Sequence, residues 1–268
     1  MKKCFTINPN RTKDEIKSYE SLLNDNIYQG VEIFYPYQKN EEERNIFTNA
    51  LKEYQKYDIE FICHLPYGIT NNLASFIDLD EVMSRIEQAI IWANQFNVKK
   101  LTLHPGSVNE LSRIDSINVA AKNIKKICKI AANYKMIVML ENLIGEQELI
   151  RTPNEYFELK EKINEPNLKF IFDVAHFHAS IFDDGDAINI KAFIEDNKDD
   201  LCHLHICDNL GHSDTHSKIG SGNIDFEMYF KTLNEIGYDS TISSEVLFNT
   251  KDELIETAKS IDSFLKMI

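Results

Sequence analysis

Short apolar, β-branched runs recur along the chain, and each is followed by a longer stretch with helical spacing. The strand-like runs fall at 3–8, 30–35, 60–65, 100–104, 137–142, 169–174, 201–206 and 240–246. The helix-like stretches fall at 12–24, 41–57, 80–97, 114–134, 153–163, 188–197, 226–236 and 251–265. Asp78 and Asp80 precede Val82, Ile86, Ala89, Ile90 and Ala93, which recur at the spacing of one helix face. Thr152 can cap the next helix but one, with Pro153 at its first position.

The runs themselves are nearly continuous in apolar residues, as in Leu101-Thr102-Leu103 and Phe170-Ile171-Phe172. That is the pattern of parallel strands covered on both faces. Eight strand–helix units in 268 residues predict an α/β fold, a single (β/α)8 TIM barrel spanning 1–268. An open sheet stays as the alternative, because periodicity does not report closure. No linker or low-complexity tract divides the chain.

Composition narrows the setting. The chain is 43% hydrophobic, enough for a core, and no run approaches the roughly 18 apolar residues needed to cross a bilayer. Its first residues read as a strand rather than a leader, so a cytoplasmic protein with no membrane partner is expected. Cys4, Cys63, Cys128, Cys202 and Cys207 form no CxxC pair, and buried reduced thiols are expected. The net charge of −14 disfavours a nucleic-acid partner, whose phosphates need Lys or Arg.

The chemistry is carried by polar residues that end the apolar runs. His64, His104, Glu141, Asp173, His205 and Glu245 each stand at or near the end of a predicted strand. In a barrel these ends meet at one mouth. One such residue means little, but three carboxylates and three imidazoles buried together need a neutralising positive charge. Mixed carboxylate and imidazole donors suit Mn2+, Co2+, Zn2+ or Fe2+. His176 is placed on the loop leaving strand six. Asp214 and His216 form an Asp-x-His pair after strand seven, followed by Gly220-x-Gly222, whose glycines permit a backbone path close to a ligand. His203 is expected to alternate away from His205 and to be a satisfied structural histidine.

These residues resemble the xylose isomerase-like TIM-barrel superfamily, which joins sugar (phosphate) isomerases and epimerases with endonuclease IV, of AP endonuclease family 2. The resemblance rests on Gly30-Val31-Glu32, His64-Leu65-Pro66-Tyr67, His104-Pro105-Gly106, Glu141-Asn142, Asp173-Val174-Ala175-His176, His205, the stretch from Asp214 to Asp225, and Glu245. It covers nearly the whole chain. In the isomerase branch it implies one metal held by Glu141, Asp173, His205 and Glu245. That metal would stabilise an enediolate, with Glu141 and Glu245 as the proton-transfer pair. His176 would then hold a substrate oxygen. Glu32, His64, His104 and Lys218 would line the substrate pocket.

In the endonuclease branch the resemblance implies three zinc ions, with His64, His104, His176, Asp214 and His216 as further ligands. All nine ligand positions are occupied by matching residues. Three features favour the sugar branch. The Asp208-Asn209-x-Gly211 run before Asp-x-His lacks the arginines of the nuclease version. Strand two continues as Ile33-Phe34-Tyr35-Pro36-Tyr37, without a basic DNA-penetrating loop. Arginine is scarce: Arg11, Arg44, Arg85, Arg113 and Arg151, of which only Arg151 is read as lying just beyond a strand-end loop. Some ketose epimerases place an arginine shortly after the strand-seven histidine, and here Lys218 is the candidate substitute. The expected activity is therefore a metal-dependent sugar or sugar-phosphate isomerase or epimerase acting on a small carbohydrate. A zinc phosphodiesterase on abasic DNA is the alternative, and a dehydratase or lyase is a third class. A homo-oligomer is left open.

Overall fold

Eight parallel strands close on themselves in a computed structural model that describes residues 1–181 and 190–267. They are β1 (Lys2–Ile7), β2 (Gly30–Phe34), β3 (Glu60–His64), β4 (Lys100–Leu103), β5 (Ile137–Glu141), β6 (Leu168–Asp173), β7 (Leu201–Ile206) and β8 (Thr241–Ser244). Each pairs with its sequence neighbour, and β1 pairs with β8 through Cys4 opposite Ser243 and Phe5 opposite Ser244. The barrel is therefore closed, and the open-sheet alternative is set aside.

The helices are α1 (Lys13–Ser18), α2 (Glu20–Asn24), α3 (Glu41–Lys52), α4 (Leu79–Asn94), α5 (Arg113–Asn133), α6 (Pro153–Ile163), α7 (Val174–Ile181), α8 (Ile190–Asn197), α9 (Phe226–Glu235) and α10 (Lys251–Leu265). Local sequence explains their starts. Thr12 with Glu15, Asn40 with Glu43, Thr152 with Glu155 and Thr250 with Glu253 form reciprocal capping boxes that satisfy orphan backbone donors.

Three expectations about the helices need correcting. The predicted helix 12–24 is two helices. At Tyr19 the backbone N–H is shared between the carbonyls of Glu15 and Ile16, and the ring is buried against Phe5 and Phe248. Packing of that ring fixes the break. The predicted helix 41–57 ends its α-turns at Lys52 and continues as a 3-10 turn over Glu53–Lys56. His176 lies within α7 rather than on a loop. The Oδ1 of Asp173 accepts from the His176 N–H at 2.6 Å, so the last residue of β6 caps a helix that begins at once. Residues 188 and 189 of the predicted helix 188–197 lie outside the described residues.

Strand alternation sorts the core. Val31, Ile33, Leu101, Leu103, Val138, Leu140, Phe170, Phe172, Leu204 and Ile242 belong to the large cluster that packs strands against helices. Cys4, Ile62, Met139 and Ile171 form a separate small cluster from the alternate positions, inside the barrel. Continuing along that inner set leads to Glu32, His64, Thr102, Glu141, Asp173, His203, His205 and Ser243, all buried. His203 thus shares a face with His205, because residues two apart in a strand point the same way. The expectation that it turns away was wrong. It is nonetheless fully bonded, to Thr241, Ser243 and Glu32. No helix among the described residues is long and apolar enough to cross a membrane.

Candidate metal centre

The C-terminal ends of β3 to β8 bring nine side chains together in three adjoining groups. The central group is Glu141, Asp173, His205 and Glu245, whose ligand atoms lie within 4.8 Å of one another. His205 Nδ1 stands 3.0 Å from Glu141 Oε1, 3.4 Å from Glu245 Oε1 and 3.9 Å from Asp173 Oδ2. Asp173 and His205 are paired across β6 and β7, so the sheet register itself sets them side by side. Asn142 locks β5 to β6: its amide accepts from the Asp173 N–H and donates to the Asp173 carbonyl, both at 2.9 Å.

The second group is His64, His104 and Glu141. The two imidazole Nε2 atoms lie 3.7 and 3.2 Å from Glu141 Oε2, so Glu141 bridges the two groups with one oxygen on each side. The third is built around Asp214. Its Oδ2 is 3.2 Å from His176 Nε2 and 2.7 Å from His216 Nε2, and the Cys207 thiol lies 3.7 Å from His216 Nδ1. His216 has φ 44°, a left-handed backbone that a non-glycine residue adopts only when its surroundings hold it there.

Whether these donors suit a cation can be judged from their hydrogen bonds. His64 Nδ1 is 2.9 Å from the Leu65 carbonyl, and His176 Nδ1 is 3.0 Å from that of Asn142. A carbonyl only accepts, so each Nδ1 carries a proton, and when the imidazole is neutral its Nε2 is the lone pair turned toward a carboxylate. Glu141 Oε2, Asp173 Oδ2 and Asp214 Oδ1 are buried with no hydrogen-bond partner. One orphaned acceptor thus sits in each group. An unpaired buried carboxylate costs on the order of several kcal/mol. Imidazole nitrogens gathered with orphaned carboxylate oxygens are the donor set of a divalent metal with carboxylate–imidazole ligation.

The titration behaviour carries the same strain. Burial pushes the Asp173 carboxyl up to about 7, with Glu141 and Glu245 adding and His176 opposing. Burial likewise raises Glu245, against the pull of His205. For Glu141 burial is outweighed, and His205 and His104 hold the carboxyl well below its ordinary range. His205 and His176 sit well above the usual imidazole value despite burial, under Glu245 and Glu32 in one case and Asp173 and Asp214 in the other. His216 rises to about 9, burial opposing and Asp214 and Glu245 prevailing. Without a cation, protons must supply the missing positive charge.

Residues 23–266 match the xylose isomerase-like TIM barrel family over most of the chain. The chain belongs to that family. Among its relatives, an uncharacterized protein of Methanocaldococcus jannaschii is 30% identical over 71% of this chain and 65% of its own length. A probable endonuclease 4 of Mesoplasma florum is 28% identical over 70% of this chain and 66% of its own. The chain therefore matches slightly less than two thirds of each of these two relatives. A crystal structure of a D-tagatose 3-epimerase-like protein superposes with a TM-score of 0.81 over 100% of this chain and 98% of its own, at 24% identity. At that identity the likeness is one of fold. The candidate metal-binding groups are this chain's own, and both epimerase and endonuclease names occur among the relatives and neighbours of this family member.

Two expected pocket residues sit elsewhere. Glu32 is fully buried beneath the cluster, with its carboxylate bonded to Thr102, His203 and His205, so it does not face a substrate. Lys218 pairs with Glu256 of α10 on the surface. Gly222 does make a close approach, but to the chain itself. An added Cβ would meet the Asn209 carbonyl oxygen at 2.1 Å. The reason is Asp208, a residue given no role from sequence. Its buried carboxylate accepts from the N–H groups of Gly220 at 2.8 Å and Gly222 at 2.9 Å, tying down the loop that carries Asp214 and His216. A cavity of about 230 Å³ opens beside His64, walled by Asn8, Phe34, Tyr37, Pro66 and Tyr67. His64 stacks on Phe34 with ring centroids 4.5 Å apart.

Proposed function

We propose that the chain is a divalent-metal-dependent isomerase or epimerase of small sugars or sugar phosphates. The observation that carries this reading is the gathering of two carboxylates, Glu141 at 3.0 Å and Glu245 at 3.4 Å, around His205 Nδ1 in one four-residue group. Glu141, Asp173, His205 and Glu245 would hold the ion, with Mn2+, Co2+ and Zn2+ the candidates. Bound there, a divalent ion supplies Lewis-acid stabilisation of negative charge on neighbouring substrate oxygens. Glu245, 9% exposed at its side chain and with a raised carboxyl, faces the mouth and is suited to take a C–H proton beside a carbonyl near neutral pH. Glu141, despite burial held ionised by His205 and His104, would be the second carboxylate of the transfer and would take up a proton before returning it to carbon. His176 would donate to a substrate oxygen, and the aromatic wall of Phe34, Tyr37 and Tyr67 would pack the non-reacting carbons.

Three of the five arginines, Arg11, Arg44 and Arg113, support a small substrate over a polyanion, while Arg151 keeps a buried Nε without a partner. Arg151 is not alone beside a strand-end loop, since Arg11 follows β1. Arg11 is spent on Glu15 at 3.0 Å and stacks 4.2 Å over the Phe248 ring. Arg44 is bonded to Tyr35 and the Lys39 carbonyl, and Arg113 to Glu155 and the Glu148 carbonyl. Guanidinium groups already held by the protein are poorly placed to receive phosphates. The test is interconversion of ketoses, aldoses and their phosphates by metal-loaded protein. Turnover removed by a chelator and by Glu141→Gln supports the reading; no turnover on any member of the panel speaks against it.

A second reading is favoured by a specific observation, the three adjoining ligand groups with one orphaned carboxylate oxygen in each. An isomerase needs one of them. Three zinc ions would suit phosphodiester cleavage at an abasic site in DNA. Nicking of an abasic duplex by zinc-loaded protein, lost in Glu141→Gln, would install this reading in place of the first.

A further inference from the structure

The barrel interior beneath the mouth is a layer that such folds usually fill with branched aliphatic side chains. Here it holds a carboxylate. Glu32, the middle residue of β2, has no solvent exposure. Its Oε1 accepts from the Thr102 hydroxyl of β4 at 2.6 Å. Its Oε2 lies 2.9 Å from His205 Nε2 and 3.2 Å from His203 Nε2, both on β7. Strands β2, β4 and β7 are not neighbours in the sheet, so these contacts cross the barrel. His203 is itself pinned by the Thr241 hydroxyl at 2.6 Å and by the Ser243 hydroxyl at 3.0 Å.

A buried carboxylate is costly, and it is retained only where something repays the desolvation. Glu32 forms a further candidate ligand trio with His203 and His205, but both its oxygens are already bonded, Oε1 to Thr102 and Oε2 to the two imidazoles. What it can do is dictate which His205 nitrogen is bare. An ionised carboxylate only accepts, so the 2.9 Å contact requires a proton on Nε2. In the metal-free protein Glu141 Oε1, 3.0 Å from Nδ1, draws a second proton onto the ring; a cation that takes that proton's place leaves the one on Nε2 and makes Nδ1 the ligating nitrogen. That is the nitrogen turned toward Glu141, Asp173 and Glu245.

We propose that Glu32, anchored by Thr102 and His203, is a positioning residue that fixes the tautomer and ring orientation of His205, presenting Nδ1 to a divalent cation. The proposal rests on the metal-binding half of the functional reading and not on the reaction. Carboxylates placed behind a ligating histidine raise its basicity and pre-orient its ring, and their loss typically weakens metal binding roughly 10–100-fold.

The test is Zn2+ affinity by chelator competition, read at the tightest site, in wild-type protein, Glu32→Gln and Thr102→Val. Glu32→Gln should weaken Zn2+ binding roughly 10–100-fold. Thr102→Val should weaken it less, since it removes only the anchor of the anchor. Folded Glu32→Gln that binds Zn2+ as tightly as wild type overturns the proposal, even if its metal-free thermal stability falls. Should Glu32→Gln fail to fold, histidine-labelled wild-type protein loaded with Zn2+ decides by 15N NMR. A proton on His205 Nε2 supports the proposal, and a proton on Nδ1 overturns it. Tight wild-type Zn2+ binding without sugar turnover would leave this inference standing while removing the isomerase reading.

Discussion

Glu141 Oε1 stands 3.0 Å from His205 Nδ1, while Glu141 Oε2 faces His104 Nε2 at 3.2 Å. One carboxylate therefore joins two ligand groups, and its own hydrogen bonds leave Oε2 unpartnered. The proposed chemistry depends on this residue more than on any other, because it would serve a cation and a proton transfer at once.

Replacing Glu245 with Gln keeps its shape and a possible oxygen ligand but removes the base. Turnover should drop roughly 10²–10⁴-fold, the range for a positioned acid or base. Steady-state assays on any substrate found by the panel check this, with metal content measured in parallel to separate lost chemistry from lost metal.

Metal binding should depend on pH in a definite direction. The Asp173 carboxyl is raised to about 7 and the His216 imidazole to about 9 in the metal-free protein. Both groups hold protons above their ordinary values, and both must give them up to become ligands. Affinity should therefore fall as pH drops below about 7, and rise further between about 7 and 9 for the group containing His216. Calorimetry in buffers of different ionisation enthalpy would count the protons released.

The three groups predict separable metal losses. His104→Ala removes a donor from the second group alone, and Asp214→Ala removes the hub of the third. If all three bind, each variant should lose one Zn2+ per chain while the central site remains filled. Elemental analysis after dialysis against dilute chelator reads this directly.

Gly222→Ala should be damaging although Gly222 touches no ligand. The added methyl would meet the Asn209 carbonyl oxygen at 2.1 Å and Asp208 Oδ1 at 2.2 Å, so the loop must shift. Overpacking of this kind costs roughly 1–3 kcal/mol. Thermal unfolding should show that loss, together with weaker metal binding at Asp214 and His216.

The sequence made the fold legible because each strand is a compact apolar run and several helices carry their own cap signals, as at Thr12, Asn40, Ser112 and Thr250. It made the mouth legible because ligand-type residues end six successive strands, and closure of the barrel brings successive ends together. Three things were not legible. The direction of Glu32 depends on its partners on β4 and β7, which lie far away in sequence. The face of His203 follows from strand alternation, but its partners Glu32, Thr241 and Ser243 come from other strands. Helix α7 was hidden because its cap, Asp173, also reads as a ligand. The role of Asp208 has a sequence signal in Asp208-Asn209 followed by Gly220 and Gly222, a carboxylate acceptor and two glycine amides that a tight loop can bring to it.

The central claim is proton transfer at carbon by a metal-loaded site. It is tested most directly by incubating Mn2+- or Co2+-loaded protein with ketoses, aldoses and their phosphates in deuterated water and following the substrate by NMR. The account predicts deuterium at the carbon beside the carbonyl of at least one sugar, abolished by chelator and in Glu245→Gln. No deuterium in any sugar, with zinc-loaded protein nicking an abasic duplex under matched conditions, would contradict it.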